Sequence, residues 1–177
     1  MKKFFKYNVP AAAAALAVII VLSVFLGIGR TLGTYKGRVE RAFTSAENSA
    51  ASDLKIYKSF AEQLCAIAKA NGCDTKKLEE AVNGIDSADP FGGADAALSD
   101  VSVLSAVVYA ELSAKKELDG QTANTVKSDY YEMTSTVMRL QKNENYNKAA
   151  AKYNKAIRSF PANLFSLGKK EAAVFDR

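Results

Sequence analysis

From Val39 onward, apolar residues recur at alternating spacings of four and three: Val39, Phe43, Ala46, Ala50, Asp53, Tyr57, Phe60, Leu64 and Ile67. A seam of that period lies along one side of a helix, and Asp53 is its only charged member. The pattern predicts one long helix over residues 34–70, closed by Asn71-Gly72, where Gly accepts the left-handed conformation of a helix end. Asp74-Thr75 can cap a short second helix carrying Leu78, Ala81, Val82 and Ile85, which runs into a loop over residues 86–93. A third helix, residues 94–118, has Leu98, Val101, Leu104, Val108 and Leu112 on one face and Val103 and Val107 on another, and so reads as the most buried of the set.

A fourth helix follows Asp119-Gly120, with Val126, Tyr130, Met133, Val137 and Leu140 in one heptad frame. The frame then fails, and apolar positions resume one place early at Tyr146, Ala150, Tyr153, Ile157 and Phe160. The buried stripe therefore rotates near residues 142–145, the helix takes a second packing partner, and Pro161 ends it. These elements define an all-α chain, an antiparallel four-helix bundle with long first and last helices.

Ahead of the bundle, residues 7–29 carry no charge. A helix of that length reaches ~34 Å at ~1.5 Å per residue, slightly more than a bilayer's hydrocarbon core. Pro10 falls in its first turn, where a missing N–H costs little. A cleaved secretory signal is the rival reading, favoured by Lys2, Lys3 and Lys6, but the run is long for one and Leu26-Gly27-Ile28-Gly29-Arg30 is a poor small-x-small cleavage site. The expected organisation is a basic segment 1–8, a transmembrane helix 9–29 and a bundle domain 30–177. Basic residues before and after the span nearly balance; the compact N-terminal cluster favours a signal anchor with the bundle on the extracytoplasmic side.

Charge adds to this picture by segment. Residues 1–41 hold seven Lys/Arg and one acid, residues 42–141 nine against fifteen, and residues 142–177 eight against three, for a total of +5. An anchored antiparallel fold brings both basic ends toward one surface. Within the last helix, Lys148, Lys152, Lys155 and Arg158 form a basic stripe: an ordinary solvated face, or a surface for anionic lipid headgroups beside the membrane. Pairing Phe160 with Thr34 in the antiparallel hairpin brings Asp53 within reach of Arg139 or Lys142, and a seam carboxylate needs such a buried ion-pair partner. The acidic middle argues against nucleic acid.

Little here supports catalysis. The chain has no His, which removes imidazole shuttles and His-containing zinc sites. Cys65 and Cys73 lack the close pairing of a metal knuckle or redox motif and read as buried or spare thiols. Ser52-Asp53-Leu54-Lys55 and Ser113-Ala114-Lys115-Lys116 match a Ser-x-x-Lys spacing without its accompanying elements. Asp86, Asp89 and Asp95 lack the alternation of a calcium loop, and Asp95 reads as a helix cap; Gly92-Gly93 has no preceding strand to make a phosphate cradle. No cofactor, metal or small-molecule substrate is expected.

The phrase Tyr146-Asn147, Tyr153-Asn154, Ile157, Phe160-Pro161, Gly168 and Phe175-Asp176 resembles the C-terminal part of the LemA family, and the resemblance extends over residues 97–177. Asp53-Leu54 stands where that family tends to have an Asp-Leu pair, though the Arg and Pro residues usual around it are missing, and Lys169 replaces an aromatic. The resemblance implies a bacterial, membrane-anchored four-helix bundle whose biochemical activity is poorly defined. On residue type alone, each Tyr buries a ring and needs a hydroxyl partner, and each Asn fixes register. The expected function is that of a non-catalytic envelope scaffold or assembly factor in the bacterial cell membrane, with the lipid bilayer and a protein partner or second copy as its partners. A self-assembling coat and a carboxylate-dependent hydrolase using Asp129 and Glu132 are the alternatives.

Overall fold

The computed structural model describes residues 2–45, 49–115, 118–165 and 168–175, with side chains from residue 12 onward except Phe165. Ala46, Lys116, Leu167 and Asp176, and the side chains of Lys2, Lys3 and Lys6, lie outside the described set. Within it the chain is all-helical, with α1 (Lys2–Thr44), α2 (Ala50–Ala70), α3 (Lys76–Asn83), α4 (Ala94–Ala114), α5 (Gly120–Lys142), α6 (Glu144–Arg158) and a 3-10 turn (Ala162–Phe165).

The lower half of α1 lies outside the core. From Leu16 to Leu26 its large apolar side chains are all exposed, as a membrane anchor or a signal sequence would leave them. The same helix then enters the core: Leu32, Val39 and Phe43 are buried at heptad spacing. A packed helical bundle follows.

The helix expected over 34–70 is two helices. Thr44, Ser45 and Ser49 bring polar side chains that compete with the helical ladder, and Ser49, extended at φ −74° and ψ 154°, accepts from the backbone N–H of Ser52 at 3.2 Å to start α2. The fourth helix is also divided, at the place where its stripe rotates. Asn143 leaves the helical region (φ −75°, ψ 75°), and its side chain accepts from the N–H of Tyr146 to cap α6. The Phe43 and Tyr146 rings meet at 5.4 Å, so residue 143 lies level with the gap between α1 and α2. Tyr109 stacks on Tyr130 at 4.3 Å, and counting down from that pair places the first turn of α4 at the same height. Both long rods and α4 are therefore interrupted or begun on one level.

Above that level α2 packs chiefly on α5, with α3 and α4 alongside; below it α1 packs on α6. The upper seam buries Leu54, Tyr57, Ala61, Leu64, Met133 and Leu140. At roughly 1.5–3 kcal/mol for each large apolar side chain fully buried, such a seam offsets much of the ordering entropy. The expectation that α4 is the most buried helix is wrong. Val103 and Val107 are 64% and 60% exposed, because the bundle supplies neighbours for only one side of α4. The acids of the loop before α4 are spent on turns: Asp86 Oδ1 accepts from the N–H groups of Ala88 and Asp89, and Asp89 Oδ1 from that of Phe91. Asp95 sits in the first turn of α4, not at its cap; Gly93, left-handed at φ +76°, takes the cap place.

Candidate functional site

The chemistry of this molecule concentrates on α6. A turn spacing of seven puts Tyr146 and Tyr153 on the buried face toward α1, with Asn147 and Asn154 one step around the helix. Across that edge lies residues 170–175, an extended segment with no helix or sheet to satisfy its own peptide groups. The Tyr-Asn pairs supply the partners. Asn154 holds Ala172 at both ends of its amide, donating to the carbonyl and accepting from the N–H, each at 2.8 Å. Asn147 Oδ1 accepts from the Phe175 N–H at 3.0 Å, Tyr146 donates to the Ala173 carbonyl at 2.8 Å, and Tyr153 reaches the Lys170 carbonyl at 3.4 Å. Ala173 in turn donates to the Pro90 carbonyl at 2.9 Å.

Asn147 has a further task. Its amide nitrogen donates to the carbonyls of Leu140 (3.0 Å) and Gln141 (3.2 Å) in the last turn of α5, where the helical ladder runs out. Rings close the arrangement: Tyr146 lies between Phe43 and Phe175 (5.6 Å), and Phe91 meets Tyr153 edge-on at 5.2 Å. Burial, reinforced by Asp95 and Asp89, pushes the Tyr146 hydroxyl above its ordinary range, and burial does the same to Tyr153; both are neutral donors at physiological pH.

Phe160 does not continue the buried stripe with Tyr153 and Ile157. The helix stops at Arg158, Ser159 is extended, and Phe160 turns outward, 80% exposed, ahead of the half-exposed Pro161. The basic residues Lys148, Lys152, Lys155 and Arg158 all lie on the solvent side of α6. Lys148 pairs with Glu144, and Arg158 grips both carboxylate oxygens of Glu171, so two of the four charges are already answered within the chain.

In the upper section, Arg139 Nε donates to Asp53 Oδ1 at 2.9 Å, with the Asp53 side chain 5% exposed and a second guanidinium nitrogen on Thr136. Antiparallel counting brings these together because Asp53 begins α2 and Arg139 ends α5. Cys65 and Cys73 are both free and buried, and burial raises their thiols, Cys65 to about 11.

An open groove of about 1500 Å³ runs between the first half of α4, α6 and the tail, lined in part by Phe91, Ser99, Val103, Asn154 and Lys155. A smaller one of about 320 Å³ between α4 and α5 includes Ser102, Val137 and Met138. Asp129 and Glu132 line neither. Asp129 faces the core, where burial raises its pKa and Oδ2 finds no partner among the described residues, while Glu132 is exposed. Among the described residues no three His, Cys, Asp or Glu side chains are placed to share a metal ion. The side-chain partners of the tail were not foreseen from sequence, since the groups they hold are backbone. No protein-family model, no curated protein and no solved structure matches this chain.

Proposed function

We propose that this chain is a single-pass, membrane-anchored bundle of LemA type that acts by binding, as a non-catalytic scaffold or assembly factor of the bacterial envelope, with its bundle on the extracytoplasmic side. The observation that carries the reading is the continuity of α1: an exposed apolar half suited to a bilayer and a half packed in the core belong to one unbroken helix, Lys2–Thr44. Such a helix mounts the bundle on the membrane without a linker. The polar groups of the Tyr-Asn pairs support the same reading, since they are consumed in holding the chain's own tail.

Lipid headgroups are the partner this mounting implies, and distance decides how much of the basic stripe takes part. Taking the Phe43–Tyr146 contact as a common level, Lys155 stands about 8 Å, Lys152 about 12 Å and Lys148 about 18 Å above Gly29 at ~1.5 Å per residue. With a Debye length of ~8 Å, only the lower end feels the surface, at up to ~1 kcal/mol per charge. Arg158 is lower still but engaged by Glu171. Lys155 is the stripe's main contributor.

A coat formed by lateral contacts between copies is the second reading, and the exposed Val103, Val107 and Met138 favour it. Photo-crosslinking from Val107 and Lys152 in intact membranes tests both. A heterologous adduct supports the scaffold, a homotypic ladder supports the coat, and no adduct from either position refutes action by binding.

A further inference from the structure

Beyond the anchor, the most exposed large apolar side chain among the described residues is Phe160, at 80%, and Leu164, at 57%, stands on the 3-10 turn just after it. Both belong to the corner where α6 stops, and among the described residues nothing covers them. Their height is the informative feature. Stepping down from the Phe43–Tyr146 contact in antiparallel register sets Ile157 level with Leu32, and both are buried there. α6 ends at Arg158, one residue past that level, and Phe160 follows two residues on, close to the height of Gly29, the last residue of the uncharged run, where neighbouring Ile28 is already half-buried against the core. The corner and the emerging anchor thus share one plane. Exposed Lys155, Lys169 and Lys170 surround that end of the molecule, giving apolar tips within a basic rim. Aromatic tips set among cations at the edge of a membrane span suit the headgroup–acyl boundary.

We propose that the Phe160–Leu164 corner is a second membrane contact, a foot that dips its two apolar side chains into the same leaflet through which α1 passes, over anionic headgroups. This rests on the anchored reading above. With one rod alone the bundle would be free to lean about its exit point; a second contact off the rod's axis fixes its tilt.

The sequence contains no Trp, so a single introduced indole reports on one place. Full-length F160W, L164W, V107W and L22W are each reconstituted into phosphatidylcholine–phosphatidylglycerol vesicles, with and without lipids brominated near the top of the acyl chain. All four positions are exposed, so the replacements leave the core intact. The expected result is blue-shifted emission from F160W and L164W and loss of most of it to the brominated lipids, with V107W unaffected. If L22W is quenched and F160W and L164W are not, the foot is refuted and the anchor stands. Blue-shifted F160W emission that brominated lipid leaves untouched would mean that protein covers the corner, which also overturns the proposal. Should L22W itself escape quenching, the anchored reading fails and takes the foot with it.

Discussion

Asn147→Asp is nearly isosteric and isolates what one amide does at the meeting of α5, α6 and the tail. The carboxylate keeps an acceptor for the Phe175 N–H but loses both donors, so the carbonyls of Leu140 and Gln141 lose the hydrogen bonds of the amide and face an oxygen at about the same 3.0 and 3.2 Å. Each lost hydrogen bond is worth about 0.5–1.5 kcal/mol, and a carboxylate oxygen set against two carbonyls in a residue only 7% exposed adds about 1–3 kcal/mol of uncompensated desolvation. The expected loss is about 3–5 kcal/mol at pH 8, a large part of the ~5–15 kcal/mol that holds a domain together. With a urea slope of ~2 kcal/mol per M, the unfolding midpoint of the full chain in mild detergent, followed by circular dichroism, falls by about 1.5–2.5 M. The introduced carboxyl has a folded-state pKa raised above its unfolded value near 3.9 by burial and by the carbonyls, so the penalty is full above the folded pKa and shrinks as pH falls toward 4, where a protonated carboxyl again donates. Asn147→Leu gives a comparable loss that stays flat with pH and, unlike the Asp variant, frees the Phe175 amide to hydrogen exchange. An Asp variant within 1 kcal/mol of the parent at pH 8 would show that the amide does not tie these elements together.

Removing Arg139 (Arg139→Gln) strands the buried Asp53 carboxylate and costs about 2–4 kcal/mol, while the double change with Asp53→Asn costs clearly less than the two single changes together, as a double-mutant cycle in urea will show. Exchanging the two charges restores little, because Asp53 lies in the first turn of α2 and Arg139 in the last turn of α5, where the helix dipoles favour the native signs. Asp129 behaves in the opposite way. Its pKa is raised by burial, so its charge opposes folding above the folded pKa and ceases to do so below the unfolded one; Asp129→Asn therefore stabilises at pH 8, and the gain fades as pH falls below the unfolded carboxyl value near ~3.9, measured as urea midpoints across pH. Reversing Lys155 to Glu lowers the salt-sensitive part of headgroup contact more than reversing Lys148, which stands farther above the surface and is paired with Glu144; headgroup spin-label contact in anionic vesicles is the measure, and equal effects would refute the height argument.

Sequence periodicity carried the bundle a long way, and its failures have definite causes. The seam through Val39, Phe43 and Ala50 hides the break after Thr44, because the Ser49 cap acts through a backbone N–H while the apolar spacing continues past it. The break at Asn143 was visible as a rotated stripe, since there the apolar frame itself slips. Asp53 and Arg139 were legible because a carboxylate on a seam demands a cation and antiparallel counting limits the choice. The clamp on residues 170–175 was not, as Asn147 and Asn154 bind peptide groups that every residue possesses, and Ala172 and Ala173 advertise nothing. Burial of α4 was over-read from two apolar faces when the fold offers it neighbours on one.

No helix crosses the level where α1 and α5 end and α2, α4 and α6 begin. A stiff rod would transmit torque along its length; here, load passing from the bilayer to the upper storey goes through contacts between the storeys, among them the Asn147 amide, the Phe43–Tyr146–Phe175 rings and the Ala173–Pro90 hydrogen bond, in parallel with the connecting chain. The molecule is thus a two-storey column whose floor plate is made of such contacts, and its resistance to bending is set there, at mid-height.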